Sequence, residues 1–187
     1  MLFKFASSIF QSAYKYLTKS TNHKNALQAF QIGYAYYENN KDDEALIYFD
    51  KAIELGYLNA IKDRAWCLHS LGYQYDAIND FSKSIQLDSN DSNQYYGRAL
   101  CYVQIGNINA AVLDMEQAVI KSRVENIYNL KYDRNAKNMG YNNATELYLF
   151  QYKYHKDILT RLTDPNSFDS KYYNSKKEEV KPLRNLN

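Results

Sequence analysis

Three glycines, Gly72, Gly106 and Gly140, stand 34 residues apart, and that step constrains the chain more than any other feature. The neighbours of the first two return with it: Arg64, Ala65 and Cys67 come back as Arg98, Ala99 and Cys101. Ala77, Asp80, Phe81 and Ile85 come back as Ala111, Asp114, Met115 and Val119. An earlier copy, Ala45, Phe49 and Ile53, precedes Ala77, Phe81 and Ile85 by 32 residues. In that copy Asn40 stands where the others have glycine, and asparagine tolerates the left-handed backbone better than most residues. A period of this length marks a stack of supersecondary units that bury their apolar faces against their neighbours.

Each unit reads as two helices. Apolar residues recur at helical spacing in 26–38, 58–71 and 92–105, and again in 43–55, 75–87 and 109–121. The breaks between them hold Asn39-Asn40, Gly72 and Gly106, the residue types that end helices, and Asp88 to Asp91 supplies a stop followed by a new N-cap. Six glycines and two prolines are too few for a loop-rich β or α/β protein. A fourth pair, 125–139 and 143–162, keeps the period around Gly140, with Leu149 falling 34 after Met115. It loses the small positions, since Asp133 replaces the Ala99 equivalent and Tyr152 the Ala118 equivalent, as suits a terminal cap. Residues 16 apart form the pairs Ile32/Tyr48, Arg64/Asp80, Arg98/Asp114 and Tyr132/Tyr148, each expected to touch across its hairpin.

Gly33, Tyr36, Ala45, Phe49 and Ala52 in the first unit resemble the tetratricopeptide repeat. So do Ala65, Leu68, Gly72, Ala77, Phe81 and Ser84 in the second, and Tyr95, Ala99, Tyr102, Gly106, Ala111, Met115 and Ala118 in the third. The resemblance implies an all-α fold, an α-solenoid of helix-turn-helix repeats, three clear and one degenerate, with an extra N-terminal helix. The expected organisation is a helix in 1–25, a repeat domain over 26–163 and a C-terminal tail over 164–187. The repeat units are about 26–57, 58–91, 92–125 and 126–163.

Catalytic chemistry finds no foothold. Cys67 and Cys101 recur in phase and read as small buried packing residues, and two cysteines cannot make a four-ligand zinc site. His23, His69 and His155 lie in different units without ligand spacing, and no phosphate-loop, serine-elbow or zinc-protease motif is present. The in-phase Arg and Asp residues read as scaffold ion pairs. No catalytic residue, metal or cofactor is expected.

By the same resemblance, the first helix of each unit lines an inner, concave wall. The groove residues it implies are Phe30, Tyr34 and Tyr37, then Lys62, Trp66 and His69, then Asn93, Tyr96, Leu100 and Gln104, and finally Arg134 and Lys137. Aromatic anchors among basic and amide groups suit a bound peptide or protein segment. The family's clamp for chaperone-tail carboxylates uses Lys, Asn and Arg, but the matching places hold Phe30, Tyr34, Asp63, Asn93 and Gly97. A shift by one repeat gives Lys62, Trp66, Gly97, Ile127 and Lys131, so that partner is not expected.

Twenty-three basic against 21 acidic residues leave a net charge of +2, which weighs against nucleic acid as a partner. Residues 1–37 contain no acid, and Leu2, Phe5, Ile9, Phe10, Ala13, Tyr16 and Leu17 form one helical stripe. That segment reads as a capping helix over the first repeat, with a membrane-surface helix or a mitochondrial targeting segment as alternatives. The cytoplasm is the expected location otherwise. The expected function is a noncatalytic interaction module; the alternatives are a structural subunit of a larger assembly and an RNA-binding helical repeat.

Overall fold

The computed structural model describes residues 21–124 and 130–163. All regular structure in them is helical: α1 over 21–38, α2 Asp42–Glu54, α3 Ala60–Ser70, α4 Gln74–Leu87, α5 Ser92–Gln104, α6 Ile108–Val124, α7 Leu130–Asn138 and α8 Ala144–Thr163. None of these helices is long and apolar enough to cross a membrane. The capping or targeting role of the N-terminal segment and the tail from 164 onward lie outside the described residues. The chain divides into two units, Met1–Cys67 and Leu68–Asn187.

The periodic glycines have one cause. After α1, α3, α5 and α7 the chain reverses through a residue of positive φ: Asn40 at 57°, Gly72 at 81°, Gly106 at 74° and Gly140 at 89°. At each stop two backbone N–H groups fold back onto the last turn. Tyr73 N donates to Leu68 O at 2.9 Å and Gly72 N to His69 O at 3.0 Å, and Lys41 and Asn40 do the same to Tyr36 and Tyr37. This pair of hydrogen bonds satisfies carbonyls the helix leaves open, and it requires the left-handed residue. Asn40 serves as the glycine of the first unit, as its place in the period implied.

The recurring apolar positions form the core. Ala45, Ala77 and Ala111 are fully buried, as are Phe49, Phe81 and Met115. In the first unit Phe49 of α2 lies on Gly33 of α1, where a Cβ would stand 2.9 Å from its ring. Cys67 and Cys101 are free, buried and packed, and burial raises both thiol pKa values, that of Cys101 to about 12. Within the second unit α4 packs on α5, and α5 on α6. Arg98 holds Asp114 across the α5–α6 hairpin by two bonds of 2.7 and 2.8 Å, and reaches Ser82 of α4 at 3.0 Å. That pair was legible in the 16-residue spacing. Arg64 donates to Asp50 of α2 at 2.7 Å, the position equivalent to Ser82.

The last two helices depart from the arrangement that the period suggests. α8 runs antiparallel to α6: Thr145 meets Ser122 at 3.0 Å, Tyr152 meets Glu116 at 3.4 Å, and Ile158 packs with Ile108 and Val112. A second helix of a fourth hairpin would lie parallel to α6. Glu116 is the repeat equivalent of Ser82, so Tyr152 stands on α6 as Arg98 stands on α4. α8 therefore packs as the first helix of a further repeat does, and α7 is a short inserted helix. Asp133 of α7 accepts from Ala144 N at 2.9 Å, and the Tyr132 hydroxyl donates to Asp91, the N-cap of α5. The physical reason is visible in α7 itself: its mean hydropathy is strongly polar, and of its described side chains Ala136 alone is fully buried. It cannot supply the apolar face that α6 needs covered.

Gly33→Ala would push a Cβ into the Phe49 ring and is expected to cost about 1–3 kcal/mol, in the range for overpacked cores. The shift in urea midpoint measures it. Asn40→Gly, which keeps the left-handed turn, should leave that midpoint unchanged or raise it slightly.

Candidate functional site: aromatic faces of the first helices

In the first unit, Phe30, Tyr34 and Tyr37 follow one another along α1 at helical spacing, and their rings touch in sequence. Centroids lie 6.0 Å apart from Phe30 to Tyr34 and 6.3 Å from Tyr34 to Tyr37. Phe30 also meets Tyr57 at 4.9 Å and Phe49 at 5.9 Å. All three rings are half-buried, rooted in the core on one side and open on the other. The Tyr37 hydroxyl is held well above its ordinary pKa by burial first, then by the charges of Cys67, Asp63 and Asp42. Lys62 and Trp66 of α3 are half-buried in the same unit.

The second unit places its expected wall residues less uniformly. His69 belongs to the scaffold: its Nδ1 lies 2.9 Å from Gln74 Oε1 and 3.4 Å from Cys101 Sγ. Gln74 Nε2 donates back to His69 O, so Oε1 faces the imidazole and the proton is assigned to Nδ1. Tyr96 is not an open anchor. It is 7% exposed beneath Tyr148 of α8, with ring centroids 4.7 Å apart, and Tyr148 also donates to Asn93 Oδ1 at 3.4 Å. Burial, with Tyr141 second, pushes the Tyr96 pKa up to about 12. Leu100 is half-buried, and Gln104, Arg134 and Lys137 are exposed. The packing of α8 as a first helix covers the lower part of the wall that Asn93 and Tyr96 were expected to leave open.

That same packing exposes rings that sequence reasoning missed. Phe150 and Tyr154 are 51% and 52% exposed and stack with planes 7° apart at 6.4 Å. Tyr141 packs on Phe150 at 5.5 Å. With Tyr152 in the place of Arg98, Phe150 and Tyr154 take the places of Tyr96 and Leu100, two positions that the resemblance assigns to the inner wall. The signal was present as an aromatic pair four residues apart on an exposed helix face, but the 34-residue step assigned α8 to the wrong role. Behind the stack, His155 is buried, its Nδ1–H donating to Gln151 O at 2.9 Å, with Tyr154 edge-on at 5.1 Å.

Chemically, these faces can offer ring surface and a few cations, and little else. Among the described residues no three His, Cys, Asp or Glu side chains come together as metal ligands would.

A family model described as tetratricopeptide repeat matches residues 29–55 and 95–119. The Arabidopsis OM64 TPR domain is similar at 19% identity over 55% of this chain and 86% of its own, with a TM-score of 0.53. The first TPR domain of Spaghetti (RPAP3), solved with an HSP90 peptide, is similar at 16% identity over 74% and 95%, with a TM-score of 0.58. PcrH from Pseudomonas aeruginosa is similar at 18% identity over 73% and 92%, with a TM-score of 0.55. None of the curated proteins matches the chain. These likenesses show an α-solenoid fold of helical repeats.

Burial lowers the His155 pKa from its ordinary 6.5, so the folded state resists the proton that the unfolded chain accepts. Its contribution to stability is intact above pH 6.5 and is lost as pH falls through the lowered folded value. The melting temperature should therefore drop over that window in the native protein, and His155→Gln should flatten the drop.

Proposed function

We propose that this chain, which is similar to tetratricopeptide-repeat proteins, is a noncatalytic interaction module that holds a peptide or protein segment on the inner faces of its first-position helices. The observation that carries this reading is the set of half-open rings fixed on those faces: Phe30, Tyr34 and Tyr37 in one unit, Phe150 and Tyr154 in the other. Rings already immobilised by packing lose little freedom when a partner covers them, and aromatic anchors dominate such contacts. Lys62 in the first unit, and Arg134 and Lys137 in the second, bias the partner toward acidic character.

The Spaghetti domain was solved with an HSP90 peptide, and that mode does not carry over here. Phe30, Tyr34, Asp63, Asn93 and Gly97 stand where a carboxylate clamp would need Lys, Asn and Arg. The partner is therefore gripped by its side chains along the aromatic rows, rather than by a terminal carboxylate.

A second reading, a subunit docked permanently by its second helices, is favoured by one observation. Ile47 of α2 and Leu113 of α6 occupy equivalent positions and are 66% and 63% exposed. Crosslinking and affinity purification from the native source identify the partner, and variants then assign the face. Trp66→Ala with Lys62→Ala, and Phe150→Ala with Tyr154→Ala, should each weaken binding by about tenfold or more while helicity is retained, as loss of an interface anchor does. Retention of binding in both, with loss in Ile47→Asp and Leu113→Asp, would transfer the function to the second helices. An electrophoretic shift with single-stranded RNA at low salt is expected to be negative.

A further inference from the structure

The open side of α8 carries rings and charges in one row: Glu146, Phe150, Lys153, Tyr154, Asp157 and Arg161, all of them exposed. Residues three or four apart on a helix share a face, so these side chains are neighbours. The rings are held in place, Phe150 against Tyr141 at 5.5 Å and against Tyr154 at 6.4 Å.

The charges of the row are not equally available. Glu146 Oε2 accepts from Asn142 N at 2.6 Å, and Asp157 pairs with Arg161 at 3.3 Å. Asp133, the remaining acid of residues 130–163, accepts from Ala144 N at 2.9 Å. Lys156 donates to the Tyr152 hydroxyl at 2.9 Å. Every acid of the stretch is therefore engaged. Lys153, with Arg134 and Lys137 of α7, is exposed and makes no ion pair among the described residues. Residues 130–163 hold six basic against three acidic residues, whereas the whole chain has 23 against 21, so the excess of the chain is concentrated here.

Lys153 stands beside Tyr154 and one turn from Phe150. A partner that covers the two rings strips water from that ammonium as well. The cost is offset only if the partner brings an anion to it, and a basic segment is repelled. Nucleic acid fits less well, because three available cations neutralise too few phosphates for firm binding at physiological salt.

We propose that the open face of α8 binds an acidic segment of a partner protein, with an apolar or aromatic side chain on Phe150 and Tyr154 and a side-chain carboxylate on Lys153. This rests on the interaction-module reading and specifies the chemistry of the partner at one of its ring faces. No chain terminus is needed.

Fluorescence anisotropy of the full chain with two labelled synthetic peptides tests it. One peptide carries tryptophan and leucine among glutamates; the other has lysines in place of the glutamates. The acidic peptide should bind at least about tenfold more tightly, and Lys153→Glu should remove that preference while helicity is retained. Lys51→Glu, which makes the same change of net charge on an exposed position of α2, should leave it in place. Phe150→Ala with Tyr154→Ala should weaken both peptides. Equal binding of the two peptides by the native chain would overturn the proposal. So would an equal effect of Lys51→Glu and Lys153→Glu, or no binding of the acidic peptide at about 1 mM. These outcomes leave the interaction-module reading intact, which falls only if no partner captured from the native source responds to the ring variants. Displacement of the bound peptide by single-stranded RNA would assign the face to nucleic acid and overturn the proposal too.

Discussion

Close approach of antiparallel helices over small residues is the contact on which everything else in this protein rests. Phe49 lies directly on Gly33, with no room for a Cβ between the helices. The equivalents of its neighbours, Ala45, Ala77 and Ala111, are all buried without remainder. Each large side chain put away in this manner contributes about 1.5–3 kcal/mol. The dispersion contacts of a tight core add to it only while the helices stay at that distance. The small positions set the distance, and the large ones convert it into stability.

Directional interactions then fix how hairpins follow one another. Arg98 joins three helices, pairing with Asp114 of α6 while bonding Ser82 of α4. Its guanidinium is held above its already high pKa chiefly by the bond to Asp114. An isolated surface pair contributes little, but a bidentate, largely buried one specifies geometry. α8 uses the same station on α6 with Tyr152 and Glu116 instead.

The aromatic faces are by-products of that scaffold. Rings at one end of a first helix are drawn into the core, as Phe30 is by Phe49 and Tyr57. Rings further along, Tyr34 and Tyr37, stay half open. The abundance of tyrosine, 20 residues in 187, has a physical use in this setting. The ring can be buried while the hydroxyl finds a partner at the edge, as Tyr132 does at Asp91 and Tyr148 at Asn93.

The period, the helix pairs, the turn residues and the Arg98–Asp114 pair were determined by the sequence alone. Each depends on local backbone chemistry or on a residue type recurring at fixed spacing. Asn40 could be identified as a left-handed stop because only its place in the repeat and its tolerance of positive φ were needed. The role of α8 was decided only in three dimensions. Its sequence keeps the 34-residue step, yet α6 had an apolar face to cover, and α8 could supply Ile158 and Leu159 where the polar α7 could not. That choice buried Tyr96 under Tyr148 and opened Phe150 and Tyr154. Spacing specifies which residues are equivalent, whereas competition between two helices for one apolar surface is settled by packing energy, which spacing does not contain.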